Sequence, residues 1–203
     1  MDLIDKKIMD YINEVDSISP APGGGSVASL VGALGVSLAK MLGHFSIDKK
    51  KFKEANEKKR NQFILSLKEL DYYKDLLIKG VDDDAISYHA VMMAFKSKDA
   101  QAIQNALNTS AMIAFEMQEA SYKALQYSEK LIELGNKNLY SDLISSAILL
   151  HSCNEMAALN VKANANSLVD EELKNKYIQD SLQFILKSRK MKNKILKEIE
   201  NMN

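Results

Sequence analysis

Pro20-Ala21-Pro22-Gly23-Gly24-Gly25-Ser26 holds both prolines of the chain and its only glycine triplet, and the uncharged run Val27–Ala39 follows at once. The prolines fix an extended backbone and lack an amide donor. The glycines let the backbone pass close to another group without a side chain in the way. Ser26 is a candidate helix cap. A glycine turn feeding a helix gathers free amides at the positive end of the helix dipole, where an anionic group can sit. The same stretch also reads as a flexible turn before a buried helix.

After Pro22 there is no proline at all. Apolar positions recur at threes and fours, and strand-like alternation is hard to find. The pattern predicts helices over 2–15, 26–43, 49–97, 99–134, 141–166 and 170–201, with the glycine turn at 17–25. The helix over 49–97 is either continuous or broken near Gly80. Asp48, Asp99, Ser141 and Asp170 are candidate N-caps, and Gly135 a candidate C-terminal stop. No linker or repeat divides the chain, so 1–203 is expected to form one all-α, single-domain bundle of long helices.

The formal net charge of the 203 residues is zero, which leaves no electrostatic footprint for nucleic acid or a membrane surface. One cysteine, Cys153, rules out an intrachain disulfide framework. The acidic start, Met1-Asp2-Leu3-Ile4-Asp5, carries no secretory signal, so a cytoplasmic location is expected. Val27–Ala39 is too short to span a bilayer. His44, His89 and His151 are scattered, and no metal-ligand or nucleophile-elbow motif is present.

Three faces of these helices carry candidate function. In the 26–43 helix, Ala28/Gly32/Val36 and Ser29/Ala33/Ser37 form a mostly small-residue surface. It suits close packing inside the bundle or against a second copy. In the long helix, Phe63, Leu67, Leu70, Lys74, Leu77, Val81, Asp84, Tyr88, Val91 and Phe95 alternate in fours and threes. Asp84 is the one carboxylate on that seam. It must pair, shift its pKa upward, line a cavity, or meet water. A third seam runs through Asp142, Ser146, Leu149, Cys153, Met156 and Asn160. Asn160 can orient a heterocycle through its amide or serve an interhelical bond, and Asp142 can bind or merely cap. Cys153 reads as a small core residue. Lys49-Lys50-Lys51 reads as a solvated surface or as a dock for a polyanionic tail.

Taken together, these pieces resemble the cyclodeaminase/cyclohydrolase family, which comprises the cyclodeaminase domain of formiminotransferase-cyclodeaminase and stand-alone methenyltetrahydrofolate cyclohydrolases. The resemblance runs through Pro20–Gly35, Lys49–Phe52, Val81-Asp82-Asp83-Asp84-Ala85 with Tyr88, Ser141-Asp142 and Glu155–Val161, in that order. Departures are Ser46 and Asp48 for Thr and Gly, Met156 for Gly, Ala163 before Asn164, and Lys96–Asp99 in place of Leu-Pro-Lys. The resemblance implies a helical homodimer with its site at the subunit contact. It implies a tetrahydrofolate one-carbon adduct, often polyglutamated, as substrate, and neither metal nor redox cofactor. A formiminotransferase partner would be compatible with it. Carried onto this chain, it gives Asp84 as general acid/base, Asp82 as its assistant, and Asp142 and Asn160 as holders of the pterin or reacting amide. Gly23, Gly24, Gly25 and Ser26 would present amides to substrate, and Lys49, Lys50 and Lys51 would attract the tail. The competing reading is a non-catalytic folate-binding or helical assembly module that keeps the fold.

Overall fold

The computed structural model describes residues 2–202 and is helical throughout its regular parts. A short 3₁₀ turn at Leu3–Asp5 leads into α1 (Ile8–Val15). Then come α2 (Gly24–Ile47), the single-turn α3 (Lys50–Lys53), α4 (Glu57–Ser97), α5 (Ala100–Glu129), α6 (Tyr140–Ala165) and α7 (Glu171–Glu200). The expected all-α architecture is what the chain adopts, and no strand occurs among the described residues.

Helix α2 lies between α4 and α6, α5 closes the other side, and α7 packs over α5 and α6. Neighbours in this core run antiparallel. Ser29 Oγ donates to the Leu77 carbonyl at 2.6 Å, while Gly43 faces Leu67. On the other flank Gly32 faces Cys153, and the Asn136 amide donates to Ser46 Oγ at 2.8 Å. Apart from the exposed Ser37, the small face of α2 is therefore used inside the monomer. A methyl group at Gly32 would lie 2.7 Å from Cys153 Sγ, and one at Gly35 would lie 3.0 Å from Leu150 Cγ. Glycine here permits helix–helix approach rather than unusual backbone, since no glycine has a positive φ.

Several boundaries differ from those expected. Residues 2–15 split into the 3₁₀ turn and α1. The 49–97 segment breaks at 54–56, and α4 then runs through Gly80 without interruption. Gly80 is a packing position: a methyl there would meet Ser29 Oγ and Met117. Asp99 and Asp170 cap as expected, accepting amides of Gln101, Ala102 and Leu173. Asp48 instead ends α2, Asn56 caps α4, and Ser141 lies inside α6. Ser26 makes no cap bond, because Gly23 is the cap residue. Helix α5 stops at Glu129, and the turn beyond it buries Leu131, Ile132 and Leu134. Gly24–Ile47 is long and apolar enough to cross a membrane by length and composition, yet 56% of its most apolar window is buried in this bundle.

Candidate active site

The glycine turn does gather an anion, and the anion belongs to the protein. Asp84, midway along α4, accepts the Ser26 backbone amide through Oδ2 at 2.9 Å. Ser26 stands in the first turn of α2, where amides lack helical partners. Gly25 makes this contact possible. A methyl group on Gly25 would fall 1.9 Å from Asp84 Oδ1 and 2.4 Å from its Cγ. Gly24 has open space around it, and Gly23 has only the Pro20 carbonyl nearby.

Asp84 is half-buried, and desolvation pushes its carboxyl above the ordinary carboxylate range, with the Ser26 amide pulling the other way. No neighbouring charge contributes to that shift. A carboxyl raised in this way holds its proton to higher pH than an exposed one, the direction acid–base chemistry requires. Behind it, Ser87 Oγ donates to the Asp84 carbonyl at 2.9 Å and meets Ser110 Oγ at 3.2 Å. Asn164 Nδ2 in turn donates to Ser110 Oγ at 3.0 Å. This chain ties α4, α5 and α6 together beside the carboxyl.

Asn160 belongs to the same end of the bundle. Gly32 faces Cys153, and α2 and α6 run antiparallel. Gly25 is two turns before Gly32, and Asn160 two turns after Cys153, so both lie at the level of Asp84. The Asn160 side chain is half-buried and back-bonds to the Met156 carbonyl at 3.1 Å.

Five other expected site residues are elsewhere or otherwise engaged. Asp142 sits in the first turn of α6, roughly 27 Å along the helix from Asn160. Lys49, Lys50 and Lys51 are exposed beyond the C-terminal end of α2, which is about 36 Å long. Within one chain, neither the lysines nor Asp142 can join the Asp84 cluster. Asp82, two residues before Asp84 on α4, accepts the Leu3 amide through Oδ1 and so ties the N-terminal segment to α4. Cys153 is fully buried with its thiol pushed up to about 12, in keeping with a core residue.

The sequence reading missed Tyr11. It is the one buried residue of α1, and its hydroxyl shares a 2.9 Å hydrogen bond with Ser26 Oγ. The only signal was a lone aromatic on a short amphipathic helix. Beside it, Leu3, Ile8, Ile12, Val27, Leu30 and Leu34 line an apolar depression of about 610 Å³.

Comparison with known proteins bears on this arrangement. Residues 7–183 match the family model described as formiminotransferase-cyclodeaminase. The chain is similar to the methenyltetrahydrofolate cyclohydrolase of Methylorubrum extorquens, 28% identical over 172 residues, covering 80% of this chain and 81% of that protein. It is also 28% identical to the formimidoyltransferase-cyclodeaminase of Mus musculus over 183 residues, covering 86% of this chain but spanning only 33% of that protein. The crystal structure of formiminotetrahydrofolate cyclodeaminase from Thermotoga maritima superposes with a TM-score of 0.89 at 25% identity, covering 98% of both chains.

Proposed function

The chain belongs to the formiminotransferase-cyclodeaminase family, and from that premise we propose that it is an enzyme of one-carbon folate metabolism acting on the bridging carbon of a tetrahydrofolate adduct. The observation that carries the reading is Asp84, a desolvated carboxyl with no charged neighbour shifting it, held at the N-terminus of α2.

Two reactions fit this carboxyl. In the cyclohydrolase direction, water attacks the cationic methenyl carbon and Asp84 takes the water's proton. One bridging nitrogen of the tetrahedral carbon then leaves, taking that proton, while the carbinol hydroxyl loses its own proton to solvent and becomes the formyl carbonyl, and formyl-tetrahydrofolate departs. In cyclodeamination, the second bridging nitrogen attacks the formimino carbon. The formimino group enters as the protonated amidinium; Asp84 gives its nitrogen one further proton so that it departs as ammonia, and recovers a proton from the attacking nitrogen. Both steps pass through a tetrahedral carbon between two nitrogens, and neither needs a metal or redox centre. Asn160 stands at the right level to orient the pterin or the reacting amide.

The same proposal includes a homodimer. The outer face of α2 is uncharged from Val27 through Leu30, Leu34 and Ser37 to Phe45, and Leu34 and Phe45 are more than half exposed. Two copies packed antiparallel along this face would bring the Lys49–Lys51 end of one chain toward the Asp84 end of the other. That would complete a cluster one chain cannot close, with the lysines available to a polyglutamate tail. Leu34→Glu is expected to yield a monomer by sedimentation, and Lys50→Ala to raise KM for polyglutamated substrate more than for monoglutamate.

The deciding assay follows the methenyl-tetrahydrofolate absorbance band with purified protein. Loss of the band above the spontaneous rate, abolished in Asp84→Asn, supports the cyclohydrolase. Growth of the band from formimino-tetrahydrofolate with ammonia release supports the cyclodeaminase. If neither occurs while reduced folate still binds saturably, the chain is a binding module.

A further inference from the structure

We propose that the N-terminal segment is a working part of the site, with Tyr11 as a positioning residue that governs how Ser26 meets Asp84. The proposal rests on the reading of Asp84 as the reacting carboxyl.

Helix α1 has little apolar reason to stay where it is. Ile8, Met9, Ile12 and Val15 are each at least 40% exposed, and Tyr11 alone of its eight residues is buried. Two polar contacts fix the segment, and they bracket Asp84. Leu3 donates its amide to Asp82, two residues before Asp84 on α4. The Tyr11 hydroxyl bonds Ser26 Oγ, on the residue whose amide donates to Asp84. Ser26 therefore divides its polar groups: the hydroxyl goes to Tyr11 and the amide to Asp84.

This division matters because Ser26 is fully buried. A buried hydroxyl without a partner seeks the nearest acceptor. With Tyr11 gone, the freed hydroxyl would turn to the carboxylate that the serine's own amide already meets. A second donated bond favours the ionised form. Tyr11 thus reserves the Asp84 carboxyl for one amide and for substrate. The charged groups acting on Tyr11 are Asp82 and Asp84 of α4 and Glu14 of α1, the last paired with Lys6. Burial and these acids push the Tyr11 hydroxyl up, so it stays protonated as Asp84 titrates.

The test reads the carboxyl itself, without substrate. Carbon-13 NMR of aspartate-labelled protein follows each carboxyl through pH, and the Asp84 signal is the one missing from Asp84→Asn. Wild type should titrate above the ordinary carboxylate range. In Tyr11→Phe the midpoint should fall by about one unit, and the double variant Tyr11→Phe/Ser26→Ala should restore it. Equal midpoints in wild type and Tyr11→Phe would overturn the proposal. So would a fall that persists in the double variant, or a wild-type midpoint in the ordinary range. On substrate, the low-pH limb of the turnover profile should move with the midpoint. If the midpoint moves as expected but no variant, wild type included, turns over folate, the positioning role stands and the enzymatic reading fails.

Discussion

Adding one methyl group at Gly25 tests the arrangement at its tightest point. In Gly25→Ala the new carbon would lie 1.9 Å from Asp84 Oδ1, 2.4 Å from Cγ and 2.8 Å from Oδ2. No rotation of the carboxyl relieves three contacts of that kind, so the Asp84 side chain must leave the N-terminus of α2. Overpacking of this sort costs about 1–3 kcal/mol. Losing the amide-to-carboxylate bond adds roughly 1 kcal/mol. For a chain of this size, that total lowers Tm by about 4–15 °C. In an Asp84→Ala background the obstruction is gone, and the same change should be neutral or stabilising by up to about 1 kcal/mol through helix propensity. Urea unfolding of wild type, both single variants and the double variant gives the coupling, expected at about 2 kcal/mol or more. Additive effects, within roughly 0.5 kcal/mol, would refute the claim that Gly25 exists to admit the carboxyl.

Other consequences follow from buried titratable groups. Because burial raises the folded-state pKa of Asp84, the protonated form is the one the fold favours. Its stability contribution is full below about pH 4 and is lost as pH rises through the folded value. Asp84→Asn should therefore gain stability over wild type at pH 7 and lose that advantage at pH 4 in denaturant titrations, while turnover collapses. His151 behaves in the opposite sense. It is buried between α6 and α7 with Nδ1 2.6 Å from Ser188 Oγ, and burial lowers its pKa. That stability is present above about pH 6.5 and declines as pH falls through the folded value, so His151→Gln should flatten the acid side of the profile. Cys153, fully buried with its thiol pushed up to about 12, should resist thiol reagents until the chain unfolds in denaturant.

The helical class and most helix ends were legible because the period of apolar residues and the caps Asp99 and Asp170 are local signals. The break before α4 was not, because Asn56 caps after a lysine-rich turn that itself looks helical. The importance of the glycine turn was visible, but its anion was not. The partner lies 58 residues away, and periodicity assigns Asp84 a face without saying what that face meets. Asp142 and Asn160 show the limit of reading faces. They share one stripe, yet about five helical turns separate them, a distance that counting at ~1.5 Å per residue would have revealed. Tyr11 escaped because a single tyrosine on an eight-residue helix carries no pattern.

The steric bargain between Gly25 and Asp84 also works as a filter on ancestry. The two positions cannot drift independently: a side chain at the first excludes a carboxylate seated at the second. A related chain with alanine or serine in place of this glycine has therefore surrendered the carboxyl's berth, whatever else of the fold it keeps. Two letters, read together, sort descendants able to seat this carboxylate from those that inherited only the bundle.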